Sequence, residues 1–474
     1  MPSDKQHTSF QELDSKLVIW TMTGVLIAIF MGALDQTIVS TAMPAIVKSL
    51  HGFGSYSGVI TAYLIASTVS LPIGGKLSDV YGRKPFLIGG IIWFVIASVL
   101  CGFANSMALL IFFRALKGIG AGVMQAAANT TIADLFPPVK RGKAIGLVST
   151  ISVLSNVIGP LVGGYLTDGP GWRYIFFMNL PVGLIGCFVI FKFFPHVRKP
   201  EIKDFKIDYL GVSTMTAGVV PLLLALHHVG DGTAFGSFEV AGFLTMGILF
   251  LTAFLFVEKK ARHPIVPLHI FKDPIISISL LNCGLGMAAM FGLTLFAPLF
   301  LQSVLGVNAR TSGETLLPLS FTFAITATIT GHIVGRFHRY KYLALAGATI
   351  GVIGAFFMTT LTPESSRYLV LGYAVLSGFG LAICLPIYNI AVQNAAPLNV
   401  LGVTTSMVYF VRSMSASIGV AVYGTLLTSQ TKTFGLATAL RSVFGLVGIL
   451  MVVLLVATLF LKEIPLRKSN VAAT

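Results

Sequence analysis

Apolar runs of about twenty residues recur from Leu17 to the C-terminal region, parted by short polar or Gly/Pro-containing breaks. Each run can cross a hydrocarbon core about 30 Å thick. The pattern predicts fourteen helices, over 17–40, 57–75, 86–104, 107–130, 144–166, 174–194, 208–228, 238–257, 275–304, 313–335, 343–361, 368–392, 403–428 and 441–461. An all-α membrane protein is the fold class implied, because lipid offers no partner to an unsatisfied backbone N–H or C=O and a helix satisfies them internally.

Composition agrees. Of 474 residues, 55% are hydrophobic and only 10% charged, whereas a soluble surface needs about a quarter charged residues; soluble enzymes and nucleic-acid binders are excluded first. The net charge of +15 is topological. Its residues gather in alternate loops: Lys76, Arg83 and Lys84; Lys140, Arg141 and Lys143; Lys192, Arg198, Lys199, Lys203 and Lys206; Lys259, Lys260, Arg262 and Lys272; Arg336, Arg339 and Lys341. That asymmetry places both termini in the cytoplasm, with anionic lipid headgroups as neighbours of the basic loops. No loop is long enough to form an aqueous nucleic-acid-binding domain. Cys101, Cys187, Cys283 and Cys384 all sit inside apolar runs with no CxxC pair or adjacent His, so they read as buried apolar residues, with no metal site. The polar stretch Met1 to Lys16 leads into a run that holds Asp35 and lacks a small-x-small cleavage site, so the first helix is expected to be retained.

A repeat divides the chain. GKLSDVYGRK (75–84) follows the second helix, and a worn counterpart, GHIVGRFHRYK (331–341), follows the tenth. Six helices span only 17–194, too short for that separation, so an extra helix pair lies between two six-helix halves. The expected organisation is an N-terminal tail (1–16), a six-helix bundle (17–194), a linker with two helices (195–274), a second six-helix bundle (275–462) and a C-terminal tail (463–474). Repeated helical halves place a substrate site near the midplane between them.

Several motifs fall in fixed order on this frame: LDQTIVSTAMP (34–44), GKLSDVYGRK, RALKGIGAG (114–122), GPLVGG (159–164), WRYIFFMNLPVG (172–183), FAPLFLQSVLG (296–306), and AVQNAAP (391–397) followed by Arg412. With them the chain resembles the major facilitator superfamily, and within it the fourteen-helix drug:proton antiporters, over essentially its whole length. The resemblance implies the major facilitator fold, a plasma-membrane location, a monomer without a cofactor, and export of amphipathic small molecules driven by protons. It also implies that Asp79, Gly82, Arg83 and Lys84 bridge the second helix to the eleventh of the family, here the thirteenth by position, and stabilise an outward-open state. An acid at a helix junction is more than a topogenic loop requires, since it can meet helix amides and guanidinium groups.

Physical chemistry gives the same residues reasons of their own. Gly159, Pro160, Gly163 and Gly164 combine a smooth helix face with a proline that frees a carbonyl, which suits a moving helix interface. Gly118, Gly120 and Gly122 lie inside an apolar helix with no preceding strand, so they serve close packing and not a dinucleotide. No GxxxxGK[ST] loop occurs, so ATP is not the expected energy source.

Asp35 is a carboxylate within an apolar helix, functional by default and in need of a named partner. Arg114 lies at compatible depth. Pairing keeps Asp35 ionised, and losing the pair would raise its pKa toward neutrality, the behaviour of a proton carrier. Lys117, where the family commonly has Gln, shares a helix face with Arg114 and is expected either to face water in the central cavity or to pair with an acid. Arg412 is near midplane in the thirteenth helix. Thr311-Ser312-Gly313-Glu314 reads as a capping box at the start of the tenth helix, with Glu314 as a cavity acid in the second place. His332 reads as a hydrogen-bonded or interfacial residue rather than a proton relay, and His227 and His228 read as interfacial. Tyr63, Phe291, Phe296, Tyr388 and Phe410 are candidate cavity aromatics, though an aromatic on a membrane helix faces lipid at least as often.

The leading function is thus a proton-driven exporter of amphipathic small molecules, with protons and membrane lipids as its other partners. Movement of a lipid or lipid-linked substrate between leaflets is the related alternative. A transporter-like receptor or assembly factor is the alternative of another class, against which the intact motif set counts. An intramembrane enzyme would need a constellation such as HExxH or paired midplane aspartates, and the sequence has none.

Overall fold

Local sequence sets where the helices start and stop in the computed structural model, which describes residues 14–50, 56–195, 207–230, 233, 236–307, 309–337 and 339–467. Ser106 caps α4 (Met107–Leu135) by accepting from the Leu109 N–H at 3.3 Å. Ser237 does the same for α9 (Phe238–Lys260), and Asp273 with Pro274 opens α10 (Pro274–Ser303). Such caps satisfy amide donors that have no intrahelical acceptor. Between α2 (Tyr56–Tyr81) and α3 (Arg83–Gly102) the chain turns at Gly82, whose φ of 96° suits glycine.

Among the described residues, fourteen helices are long and apolar enough to cross a membrane. Besides those named, they are α1 (Ser15–Leu50), α5 (Pro138–Asp168), the split sixth span α6 (Tyr174–Phe177) with α7 (Asn179–Phe193), α8 (Tyr209–Gly230), α11 (Ala309–Phe337), α12 (Lys341–Met358), α13 (Arg367–Ala395), α14 (Leu401–Phe434) and α15 (Leu436–Leu459). Their number matches the sequence pattern, but several run longer. The first was expected to end at 40 and continues through Pro44 to Leu50. The terminal tails beyond 14 and 467, and Arg198, Lys199, Lys203 and Lys206, lie outside the described residues.

Helices α1–α7 pack as one bundle and α10–α15 as the other, with two seams between them, α2 against α14 and α5 against α11. The inserted pair α8 and α9 packs on itself, and α8 docks where α2 meets α14. His227 ties α8 to α2 through Thr61, 3.0 Å from its Nδ1. Small residues let these helices touch. Gly118 and Gly122 of α4 abut the backbone of α2 at Tyr63 and Ser67, and Gly120 abuts Phe94 of α3. The glycines are packing positions, as the sequence implied. Cys101, Cys283 and Cys384 are buried and Cys187 is partly buried, all free thiols.

At the end of the molecule that carries Arg83, here the basic end, residues after α15 cross beneath the second bundle. The Glu463 carboxylate accepts from the Tyr340 N–H at 2.7 Å and the Lys341 N–H at 3.3 Å, capping α12. Asn394 at the end of α13 donates to the Pro465 carbonyl and accepts from the Arg467 N–H. Burial pushes the Tyr340 hydroxyl above its ordinary pKa, so it remains a neutral group between the Lys462 carbonyl and the Ile464 N–H.

Candidate functional site

The polar centre of the first bundle gathers on Asp35 of α1, whose side chain is 0% exposed. Arg114 donates from Nη1 to Asp35 Oδ2 at 2.5 Å, and Lys117, one turn further along α4, donates from Nζ to Oδ1 at 2.5 Å. One carboxylate thus answers two cations. Arg114 also donates through Nε to the Val59 carbonyl and lies over the Tyr63 ring at 4.2 Å. Lys117 donates to Ser98 Oγ at 2.7 Å, and its ammonium sits 4.5 Å from the Phe94 ring centre and 5.1 Å from that of Phe176. Ser98 in turn donates to the Phe176 carbonyl and accepts from Asn179 Nδ2. The i,i+3 spacing of Arg114 and Lys117 aims both at the same carboxylate.

This geometry decides between the two readings of Lys117. Its side chain is 0% exposed, so the charge pairs with an acid and does not face an open cavity. Tyr63 likewise lies inside the cluster, at 1% exposure. Two other cavity candidates are core residues of the second bundle. Tyr388 shares a 2.6 Å hydrogen bond with Thr458, and Phe296 meets Tyr423 edge-on at 5.7 Å; both are buried. These helices are apolar nearly all round, so hydrophobicity could not tell which face an aromatic presents. Phe291, Phe410 and Arg412 are half-buried, with Arg412 beside Met287 Sδ at 3.7 Å and 5.6 Å from the Tyr409 ring centre. Glu314 is exposed, and α11 begins at Ala309. Thr311 is therefore already inside the helix and does not hold the cap position expected of it. His332 bonds the Thr328 carbonyl one turn back on α11.

The glycine motif lies directly beyond Asp35. Gly159 of α5 faces Thr37, and Gly163 faces Ile38 and Thr41 of α1, while Thr37 donates to the Ser155 carbonyl at 3.1 Å. Pro160 is exposed and Gly164 has open space where a side chain would be, so within the motif it is Gly159 and Gly163 that meet α1.

At the basic end, Asp79 reaches across the seam. Its Oδ2 accepts from the Val403 N–H of α14, the thirteenth span, at 2.9 Å, and its Oδ1 accepts from Arg83. Arg83 also donates to Asp134 Oδ2 at 2.8 Å and to Ser78. Lys84 takes a different role from its neighbours, donating to the Phe191 and Phe194 carbonyls at the end of α7. On the other seam Gly142 of α5 and Gly331 of α11 meet backbone to backbone. Both seams are therefore closed at this end.

Sequence reasoning passed over Ser98, Asn179, Asp134 and the Gly142–Gly331 contact. The first three are polar residues in or at the end of apolar runs, the same signal that singled out Asp35. The glycine contact joins residues of different bundles and carried no local signal.

Comparison with known proteins agrees with this architecture. Residues 25–420 match the family model of the Major Facilitator Superfamily. The chain is 37% identical over 410 residues to the multidrug transporter protein MdtP of Bacillus subtilis, covering 86% of this chain and 75% of that protein. It is 35% identical over 427 residues to multidrug resistance protein 3 of the same organism, covering 89% and 81%. Among solved structures, the human organic anion transporter MFSD10 (TETRAN) superposes with a TM-score of 0.68 at 14% identity, over 93% of this chain and 99% of that one. The proton:xylose symporter XylE superposes with a TM-score of 0.65 at 14% identity, over 95% and 97%. With fourteen candidate spans among its described residues, two bundles closing over paired seams and this match over most of its length, the chain belongs to the major facilitator superfamily and is a multi-pass membrane transporter similar to multidrug transporters.

Proposed function

We propose that this transporter exports amphipathic small molecules in exchange for protons, by alternating access between its two bundles, with the proton handled at the Asp35, Arg114 and Lys117 cluster. The observation that carries the reading is the cluster itself. Three ionised side chains with 0–1% exposure inside a membrane bundle are costly to maintain and mark ion or proton pathways. They adjoin the Gly159 and Gly163 face of α5, so a shift of α1 against α5 would bear directly on them. The closed seams at the basic end fit an outward-facing conformer, with that end and both termini in the cytoplasm of a plasma-membrane protein. The names of the two Bacillus relatives support a drug-like substrate class, for which Phe291, Phe410 and Arg412 are available half-buried side chains. The proposed exporter works as a monomer on the proton gradient and uses no cofactor.

The test is substrate-dependent proton movement in proteoliposomes, with matched cationic, neutral and anionic amphiphiles and a pH-sensitive dye inside. Amphiphile added on one side should move protons the opposite way, and an imposed pH gradient should drive uphill uptake into inside-out vesicles. Transport without any accompanying proton flux would overturn the coupling.

A further inference from the structure

The three charges of the buried cluster do not cancel. Asp35 contributes one negative charge and Arg114 and Lys117 two positive ones, so the site as built carries a net charge of +1 with no exposure to solvent. The titratable or charged groups facing it from the packed helices are Asp35 from α1, Tyr63 from α2, Cys101 from α3 and Arg114 from α4 itself. α6 and α7 contribute the Phe176 ring and the Asn179 amide. Tyr63 and Cys101 are neutral in their ordinary forms at pH 7, and a guanidinium keeps its proton in proteins.

Two single-proton changes are then open to the site. A proton added to Asp35 would leave Arg114 and Lys117 facing each other at net +2 in a medium where like charges repel strongly. A proton lost from Lys117 leaves an Asp35–Arg114 pair at net zero. Hydrogen bonding favours the second change as well. The ammonium has three donors, of which two serve Asp35 Oδ1 and Ser98 Oγ, while its surroundings otherwise present the Phe94 and Phe176 rings. A neutral amine keeps two N–H groups and so keeps both bonds.

We propose that the proton exchanged by this transporter is carried on the Lys117 amine and not on the Asp35 carboxyl, the site alternating between net charges of +1 and zero. In the step, one Nζ–H bond breaks, its electron pair stays on nitrogen, and the proton passes to water admitted when the bundles open. Reprotonation from water on the other side restores the ammonium. Asp35 then remains an anion throughout, paired with Arg114, and acts as a positioning residue for the amine. The inference rests on the proton-coupled reading above and names its titrating group.

The discriminating variant is Lys117→Arg, which keeps the charge but cannot give up its proton. In proteoliposomes it should lose substrate-driven proton flux by about tenfold or more relative to the wild type, a drop that corresponds to about 1.4 kcal/mol or more. Substrate exchange at equal pH on both sides should persist. Lys117→Gln, uncharged, should show the same loss of proton flux. Wild-type flux and pH dependence in either variant would overturn the inference, whereas absence of proton flux in the wild type would instead overturn the coupled reading. Should neither variant fold, the wild type decides by infrared difference spectra between high and low pH. No protonated-carboxyl band assignable to Asp35 should appear. A band that disappears in Asp35→Asn would overturn the proposal.

Discussion

Asp79 of α2 caps the start of α14, its carboxylate accepting the Val403 N–H at 2.9 Å across the seam between the two bundles. The first turn of a helix offers unpaired N–H groups and a partial positive charge. An acid from the opposite bundle therefore binds there only while the seam is shut. Arg83 holds the same carboxylate from its own side and is anchored to Asp134, so the latch is preset within the first bundle and completed by the second.

Gly402 makes this contact sterically possible, because a Cβ at that position would run into the Asp79 carboxylate. Gly402→Ala should weaken the latch, and Asp79→Asn should weaken it by removing the charge. A hydrogen bond to a charged group contributes about 1.5–3 kcal/mol, so the closed population of the basic end should fall about tenfold or more relative to the open one. Spin-label distances across that end report the shift, and an unchanged distribution in both variants would reduce the motif to topology.

The second seam is a simpler test because no charge is involved. Gly142 and Gly331 touch through their backbones, and a methyl group on either must wedge α5 from α11. Gly142→Ala and Gly331→Ala should each make a cysteine at position 328, which faces Gly146 across the seam, more reactive toward an impermeant thiol reagent applied at the basic end. Equal labelling of parent and variants would show that the seam yields at no measurable cost.

How much of this was legible beforehand differs by level. The number of spans followed from the length of apolar runs, which the bilayer fixes. Helix ends did not. The first helix is expected to end at 40, yet α1 continues past Pro44 to Leu50, as neighbouring helices allow within a membrane protein. The pairing of Asp35 with Arg114 was readable from depth, and the shared face of Arg114 and Lys117 from spacing. What spacing could not supply was the environment of Lys117. Its burial depends on Ser98, Phe94, Phe176 and Asn179, brought in from α3, α6 and α7 by tertiary packing. Tyr388 and Phe296 show the same gap from the other side, since their burial is set by which face of the helix meets the second bundle's core.

Asp35 and its cations should respond to mutation as a unit. Asp35→Asn leaves two buried cations without a counter-charge, a change expected to destabilise the protein by about 3–5 kcal/mol and to abolish proton-driven transport. Arg114→Gln should cost less, because Lys117 still neutralises the carboxylate. In the double variant the two losses should fail to add by about 1 kcal/mol or more, as for residues in direct contact. Thermal inactivation of the purified proteins in detergent measures all three. Additive losses would mean that the pair does not interact in the folded transporter.

Lys117 also bears on substrate choice. An ammonium facing the central cavity would favour anionic amphiphiles and repel dications. With 0% exposure and its charge directed at Asp35, Lys117 presents no field of that kind to a substrate at short range. Lys117→Gln should therefore leave the rank order of matched cationic and anionic dyes unchanged when they move down a preset gradient, even though proton-driven accumulation is lost. The stability change should be smaller than for Asp35→Asn. Gln forfeits the charge assistance of the ammonium's two hydrogen bonds, to Asp35 and Ser98, but leaves a neutral Asp35–Arg114 pair in place of two unopposed cations. Measuring dye ranking and thermal inactivation on the same preparation separates the two roles. A reordering of the dyes in favour of cations would show that Lys117 reaches the substrate in another conformation of the cycle.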